Sequence, residues 1–404
     1  MKVALIIVTC NDPERIRKHL DLLEKQTALP DTIIIVNTGS SIDMGRRPGL
    51  NLEVLDAGDI GPAGGFREGA KKAVSEGHDL VIFADDDAYP ADRDNIKFLL
   101  EDAERGFQVV CGRYANGIRC FHTNHYLMVH KEVLAKTGFH FAPYFIYMED
   151  IDLFHRIKKA ADVHYDPRIV VDHKTMGILS DPKAMPMTKR NRLVFITVHN
   201  NIVGYFSYCF KSTLSALFTD LVLRKPASIN GEMKGFWFYL TGKMGRYFGQ
   251  EDKLELPSVP ESKILNADCF FVPSAYRITP LSGKLKTVPV RSAMEGFRTM
   301  MRNRGKDIVV EGLTFMAHPP FTLLARNVYL YDANRKRFFF FYRNRPLLNF
   351  AFPFLLVPLV FIALLPLFIL AFVLRYGYYR SLYNKQMEED REFCKRYIKG
   401  GSRA

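Results

Sequence analysis

The sequence predicts an α/β domain with the layout of a nucleotide-binding fold, followed by an α-rich extension and an apolar segment long enough to enter a membrane. Three observations predict it. Short apolar runs alternate with amphipathic stretches from residue 2 to residue 111. The ends of those runs carry polar or small residues, and three consecutive carboxylates, Asp85, Asp86 and Asp87, directly follow the strongest run.

Residues 2–8 are a short apolar strand, 13–25 an amphipathic helix opened by Pro13, and 32–36 a second strand. Residues 51–55 make a weaker strand and 66–75 a helix. The run Leu80, Val81, Ile82, Phe83 and Ala84 has the length and composition of a buried parallel strand. A helix over 95–103 and a strand over 108–111 complete the alternation, which points to helices covering a mostly parallel sheet. Ligands of such sheets collect at the carboxyl ends of the strands. Those ends hold Thr9 and Asn11, then Asn37, Gly39 and Ser40, then the glycine-rich stretch 61–69, then the aspartates.

Adjacent aspartates repel one another unless a cation compensates, and hard oxygen ligands suit Mg2+ or Mn2+. The alternative is a solvated turn whose aspartates cap the following helix, for which Asp94 offers support. The stretch Gly61-Pro62-Ala63-Gly64-Gly65-Phe66-Arg67-Glu68-Gly69 also reads two ways. Glycines permit close backbone approach to a ligand, and a helix opening near Phe66 offers free N–H groups to anionic oxygens, with Arg67 adding a fixed charge. It is otherwise an ordinary turn, since its spacing is neither the Rossmann nor the P-loop pattern.

With these motifs in place, the sequence resembles the family-2 glycosyltransferases of the GT-A fold, a Rossmann-like nucleotide-diphospho-sugar transferase domain. Val8-Thr9-Cys10-Asn11 is similar to the family's first-strand nucleotide motif and Ile35-Val36-Asn37-Thr38-Gly39-Ser40 to its second-strand motif. Phe83-Ala84-Asp85-Asp86-Asp87-Ala88 resembles its metal motif, and Tyr147-Met148-Glu149-Asp150-Ile151-Asp152-Leu153 the acidic motif that supplies the base. Gly64-Gly65-Phe66 with the triple aspartate leans towards the branch of galactofuranosyl- and rhamnosyltransferases. Cys10 departs from the usual aromatic residue, and Asn37 stands where an aspartate is common. The resemblance covers roughly residues 1–200.

The resemblance implies transfer of a sugar, galactofuranose or rhamnose or similar, from a UDP- or dTDP-sugar with inversion at the anomeric carbon. Mn2+ or Mg2+ would neutralise the leaving diphosphate. Asp85 and Asp87 are the implied ligand pair, His173 in Val170-Val171-Asp172-His173 completes the metal site unless it is only a structural histidine after a strand, and Asp86 lies near the ribose or bridges through water. Thr9, Asn11, Asn37, Gly64, Gly65 and Arg67 are the remaining donor-site candidates. Asp150 is the implied base. With Glu149 it opens an apolar-periodic stretch, so a helix N-terminus is expected to favour its ionised form. Capping is the alternative role for that acid pair, and Asp152 with Arg156 has the spacing of a structural i,i+4 pair. Lys189-Arg190-Asn191 resembles a basic segment after the catalytic domain, which places Arg190 at the diphosphate or at a solvated helix start.

A chain of 404 residues exceeds one ordinary domain, and 48% hydrophobic content supplies a core with apolar sequence left over. The expected division is a catalytic domain over 1–192, a mixed extension over 193–334, an anchoring segment over 335–385 with its apolar core at 350–374, and a charged cytoplasmic tail over 386–404. Residues 193–223 suit one or two long helices, 257–289 an irregular stretch, 308–310 and 328–331 strands, and 332–334 a turn. The six cysteines show no metal spacing and read as reduced thiols. Strand residues directly after Met1 and Lys2 leave no room for a signal peptide there.

Residues 350–374 carry no charge, but Pro353, Pro358 and Pro366 punctuate them and basic residues crowd both flanks. A single span would put one basic flank outside, against the positive-inside tendency, whereas a re-entrant hairpin keeps both inside. A single span and a buried helix pair remain alternatives. The net charge of +13, the aromatic run 338–342 and Tyr376, Tyr378 and Tyr379 fit an anionic membrane surface at the cytoplasmic face. No nucleic-acid motif accompanies that charge. The sequence reading is a membrane-associated, metal-dependent, inverting glycosyltransferase with a glycan or polyprenyl-linked acceptor. A nucleotide-sugar-binding scaffold without turnover and a nucleotidyltransferase are the alternatives, although the latter's glycine motif would normally follow the first strand.

Overall fold

A computed structural model describes residues 1–40, 45, 47–115, 117, 119–120, 123–173, 184–223, 227–246, 258–260, 262, 264, 269–272, 286–287, 306–311, 326–332, 337–343 and 352–400. The chain separates into two compact units, one within 1–174, 242–247 and 376–404 and the other within 175–241 and 248–375.

The first unit is a mixed eight-stranded sheet in the order β3-β2-β1-β4-β7-β6-β8-β5. Its parallel half is β3 (Leu52–Asp56), β2 (Thr32–Asn37), β1 (Val3–Thr9) and β4 (Leu80–Asp85). β7 (His125–His130) runs antiparallel to β4 and to β6 (Val109–Tyr114), which pairs in parallel with β8 (His164–His173). The short β5 (Ala88–Pro90) closes the edge, antiparallel to β8. Along β1 alternate residues enter two different cores: Ala4, Ile6 and Val8 join one, and Leu5 and Ile7 join the other. Burial on both faces is why this strand reads as an unbroken apolar run. Helices α1 (Pro13–Leu23) and α3 (Asn95–Glu104) contribute to one core. Helices α2 (Gly61–Ser75), α4 (Lys131–Thr137) and α5 (Glu149–Ala160) contribute to the other.

α2 begins at Gly61, five residues before the expected start, because Pro62 fits the first helical turn. Gly64 and Gly65 are therefore buried helical residues. A Cβ at Gly65 would stand 2.7 Å from Val8 Cγ1 and 2.9 Å from Thr38 Cγ2, and one at Gly64 would stand 2.8 Å from Ile60 Cβ. Gly65 thus lets the helix press onto the sheet, and Gly64 leaves room for the Ile60 side chain at the helix start, so packing by itself accounts for both glycines.

The last helix, α9 (Phe352–Gly400), is continuous, with Pro358 and Pro366 inside it. No reversal interrupts it, in contrast to the re-entrant hairpin the basic flanks suggested. The part from Tyr376 onward belongs to the first unit. Cys394 is fully buried in the core with Phe139, Leu153 and Ile157, and Phe393 packs on the same cluster. Residues 386–400, expected to belong to a charged tail, are thus a structural strut, amphipathic because one face completes the core of the first unit. Earlier in the helix Leu359, Ile362, Val373 and Leu374 are exposed. Among the described residues, Pro358–Ile398 is a helix long and apolar enough to cross a membrane by length and composition.

The second unit has helices α6 (Ala184–Val198), α7 (Ile202–Leu223) and α8 (Ala227–Thr241). It also has a six-stranded sheet in the order β11-β10-β12-β13-β14-β9. Its strands are β9 (Ser258–Val259), β10 (Cys269–Val272), β11 (Lys286–Thr287), β12 (Asp307–Glu311), β13 (Asn327–Asp332) and β14 (Arg337–Arg343). The two strands expected at 308–310 and 328–331 form within β12 and β13. The aromatic run 338–342, expected at a membrane surface, lies in β14 between β13 and β9. The turn at 333–334, the first two residues of the apolar run at 350–351 and most of 257–289 lie outside the described residues.

Candidate functional site

The aspartate triplet emerges where β4 ends, and three strand pairings bring its neighbours to it. β1 sits beside β4 in a register that aligns Val8 with Asp85. Thr9 therefore reaches across, and its Oγ1 donates to Asp86 Oδ2 at 2.8 Å. On the other side β7 pairs Ala84 with His125, after an irregularity between Phe83 and Ala84. β5 pairs Ala88 with His173 at the end of β8. A histidine 86 positions away in sequence is thereby placed against the triplet by register alone.

The three carboxylates face two ways. Asp86 turns to Thr9 and to Arg15 on α1, whose Nη1 is 3.0 Å from Asp86 Oδ1 and 3.5 Å from Asp87 Oδ2. Asp85 and Asp87 turn to the histidines: His125 Nε2 lies 2.9 Å from Asp85 Oδ2, and His173 Nε2 lies 3.3 Å from Asp87 Oδ1. The two imidazole centroids are 4.1 Å apart, and Tyr114 Oη sits 2.6 Å from His125 Nδ1. Burial pushes Asp86 up to about 6, against the Thr9 hydrogen bond and the Arg15 charge. Burial also raises Asp87, but the hydrogen bond and charge of His173 outweigh it and leave that carboxyl below its ordinary range.

The donor set fits a hard divalent ion with some nitrogen preference: two carboxylates and one or two imidazoles suit Mn2+. The 3.3 Å between Asp87 and His173 is close to the separation of adjacent ligands around one octahedral ion, and His173 Nδ1 is buried without a hydrogen-bond partner. Among the described residues, no three such side chains already converge on one point.

Asn11 and Asn37 sit at the ends of β1 and β2 but serve the loop between them. Asn37 is fully buried, its Nδ2 donates to Asp56 Oδ1 at 3.0 Å, and its Oδ1 accepts from Gly39 N at 3.2 Å. Asn11 takes a left-handed φ of 56° and accepts from Ser40 N. These contacts occupy backbone groups at both strand ends and tie the two ends together.

Asp150 opens α5, as its motif predicts, and its Oδ1 accepts from Ile151 N at 2.7 Å. Burial works against the ionised form that the helix terminus favours. Burial pushes the Asp150 carboxyl up to about 7; the Ile151 N–H opposes this, and the charge of Asp85 adds to it. Desolvation exceeds the helix dipole because the dipole contributes about 0.3–1 kcal/mol at most exposed termini, whereas one pKa unit is about 1.4 kcal/mol. Glu149 is also raised, first by burial and then by the charge of Asp150, and its Oε2 has no hydrogen-bond partner. Asp152 and Arg156 form the expected i,i+4 pair at 2.9 Å in a buried setting.

Two further sequence candidates have other partners. Arg67 Nη2 lies 2.7 Å from Asp390 Oδ1, and its Nη1 lies 3.1 Å from Glu68 Oε1, so its charge is committed to the last helix. Arg190 is fully buried in α6 of the second unit, where its Nε donates to Asn191 Oδ1 at 2.8 Å; it does not sit at a solvated helix start. Sequence reasoning missed His125 and Arg15. Arg15 carried a signal, lying one helical turn past the first-strand motif, but His125 carried none because antiparallel register alone brings it in.

A family model described as glycosyl transferase family 2 matches residues 4–213, just over half of the 404 residues. Galactofuranosyltransferase GlfT1 of Mycobacterium tuberculosis, in two strains, is 33% identical over 109 residues, which are 26% of this chain and 36% of that protein. The chain thus spans about a third of the length of the curated relatives it matches. Among solved structures, the mannosyltransferase PcManGT from Pyrobaculum calidifontis, in complex with GDP-Man and Mn2+, is similar at a TM-score of 0.38 and 15% identity, covering 48% of this chain and 62% of that one. S. aureus TarS 1-349 is similar at a TM-score of 0.36 and 18% identity, covering 48% and 66%. With the motif order, the mixed sheet and the acidic strand ends all agreeing with the matched family, the chain belongs to glycosyl transferase family 2.

Proposed function

We propose that this glycosyltransferase is a metal-dependent, inverting enzyme that moves galactofuranose, rhamnose or a similar sugar from a UDP- or dTDP-sugar to a glycan or polyprenyl-linked acceptor. The cytoplasmic membrane face, in surface-polysaccharide synthesis, is the proposed setting. The observation that carries the chemistry is the division of the acids around the β4 end. Asp85 and Asp87 face histidines on one side, Asp86 faces Thr9 and Arg15 on the other, and Asp150 stands apart at the head of α5. The donor sugar class is supported by the similarity to the galactofuranosyltransferase and by Gly64-Gly65-Phe66 with the triplet.

Asp85, Asp87 and His173 would hold Mn2+ or Mg2+, and the ion when bound would neutralise charge growing on the leaving diphosphate. Thr9, Asp86 and Arg15 form the wall for the nucleoside side. Arg15 keeps Asp86 and Asp87 from facing one another uncompensated, which is the repulsion that adjacent carboxylates otherwise carry. Asp150 takes the proton of the acceptor hydroxyl while that oxygen bonds to the anomeric carbon and the bond from carbon to the diphosphate oxygen breaks. A carboxyl at about 7 is matched to this task near neutral pH. The exposed apolar face at Leu359, Ile362 and Val373 supports attachment to a lipid surface.

The experiment is a panel of nucleotide sugars, including UDP-galactofuranose and dTDP-rhamnose, scored for Mn2+-dependent binding and for donor turnover. Binding and turnover of one donor class that vanish on chelation are the expected result. Binding without turnover across the panel and a range of acceptors refutes the catalytic part of the proposal.

A further inference from the structure

We propose that Gln386 and Tyr383, on the last helix, are positioning residues for sugar transfer: they hold the loop 138–148 in the strained form that presents Glu149 and Asp150. The proposal rests on Asp150 being the acceptor-side base. Three non-glycine residues in this loop take left-handed backbone angles, Phe145 at φ 68°, Tyr147 at φ 67° and Met148 at φ 76°. Met148 is the N-cap of α5. Strain of this kind survives only where the surroundings over-determine it, and it gathers where geometry serves function.

The surroundings here are two elements far apart in sequence. From α2, Ala63 N donates to Phe145 O at 3.0 Å, and Gly61 leaves the space that Phe145 fills. From α9, Gln386 makes a two-sided clamp: its Nε2 donates to His140 O at 3.0 Å, and its Oε1 accepts from Ala142 N at 3.2 Å. Gln386 Nε2 also lies 3.3 Å from Asp390 Oδ2, which accepts from Phe139 N at 3.4 Å. Gly138 opens the loop at φ 73°, and a Cβ there would stand 3.1 Å from Met387 Sδ, so the loop and helix are fitted to one another. Tyr383 packs its ring against Phe141 at a 60° tilt with centroids 4.9 Å apart, and its hydroxyl donates to Asp152, two residues beyond the base.

The clamp also touches the aspartate turn. His140, whose carbonyl Gln386 holds, places its Nε2 2.9 Å from Asn124 Oδ1. The carbonyl of Asn124 accepts from Asp85 N at 3.1 Å, and the next residue is His125. One side chain of the last helix is therefore two hydrogen-bonded residues away from a candidate metal ligand, and holds the base-bearing loop directly. An element serving only as packing would fill space here. It would not direct both ends of a side-chain amide at the two backbone groups flanking Phe141.

The test uses the full chain with Gln386→Met, which keeps the length and removes the clamp, and separately Tyr383→Phe, which keeps the ring. Amide hydrogen exchange, Mn2+-dependent UDP binding by calorimetry and turnover of UDP-galactofuranose are measured. Exchange over 139–151 is expected to rise about tenfold or more while β1 and β4 stay protected. UDP affinity and KM are expected to hold while kcat falls by about a hundredfold. Unchanged exchange over 139–151 overturns the proposal. So does an equal rise across the sheet, or a parallel loss of UDP affinity and kcat, since either describes general destabilisation. If the parent chain turns over no nucleotide sugar, the transfer reading fails while the exchange arm still decides the clamp.

Discussion

Replacing Arg67 by Met separates two accounts of that arginine. The sequence places Arg67 beside a glycine-rich turn with its charge towards a donor diphosphate, so its loss would weaken nucleotide binding and leave the fold intact. The structure ties it to Asp390, a fully buried carboxylate, at 2.7 Å, with the arginine side chain only 15% exposed. Removing one partner of such a pair leaves a buried charge uncompensated, which costs about 3–5 kcal/mol. Asp390 retains the Phe139 N–H and the Gln386 amide, so the low end, about 3 kcal/mol, is the expected loss. For a unit of this size that is a fall in melting temperature of about 6–12 °C. The assay is thermal unfolding beside UDP titration with Mn2+ at a temperature where both proteins are folded. Arg67→Met should melt early yet bind UDP like the parent, and Arg67→Met with Asp390→Asn should recover part of the loss by removing the orphaned charge while keeping an acceptor for the Phe139 N–H. A variant with unchanged melting and sharply weaker UDP binding would refute the reasoning and return Arg67 to the donor.

Asp85→Ala and Asp87→Ala should each abolish transfer and weaken Mn2+-dependent nucleotide binding without altering the circular dichroism spectrum; full activity in both would sink the ligand assignment. His173→Ala should lose activity only in part, and metal dependence identical to the parent's would make the residue structural. Asp150→Asn should keep UDP affinity and lose more than about tenfold in turnover, or roughly 1.4 kcal/mol of barrier. In the parent, kcat should fall as pH drops through about 7, because a carboxyl raised to that value is protonated and unable to take a proton below it. A rate independent of pH from 5 to 8 contradicts the raised value. Gly65→Ala should destabilise by about 1–3 kcal/mol through overpacking against Val8 and Thr38, with UDP affinity preserved in the folded fraction. A cut after residue 334 would remove the helix that completes the transferase core, so it is expected to yield unfolded protein in place of a released, active domain.

What the sequence determined by itself were the features written in local pattern. The strand–helix alternation, the buried β4 and the acidic turn after it, and the helix headed by Glu149 and Asp150 follow from hydrophobic period and strand-end chemistry. Those signals lie within a dozen residues of one another, so no tertiary knowledge is needed to read them. His173 came from motif order, and the β5–β8 register then set it against Asp87. The rest depended on contacts between residues distant in the chain. Arg67 and Asp390 are 323 positions apart, and nothing local to either one announces the other. Gly64 and Gly65 read as a ligand cradle because a glycine's sequence signature is the same whether a phosphate, the helix-start Ile60 or the strand residue Val8 occupies the space of the missing Cβ. The sign of the Asp150 shift reversed because burial depends on which elements fold over the helix end, whereas the dipole depends only on the helix. His125 joins the site through antiparallel pairing, and the apolar face of the last helix joins the core beside α4 and α5. Register and docking are properties of the assembled fold, and they decided which carboxylates face imidazoles, which face Arg15, and that Arg67 pairs with the last helix.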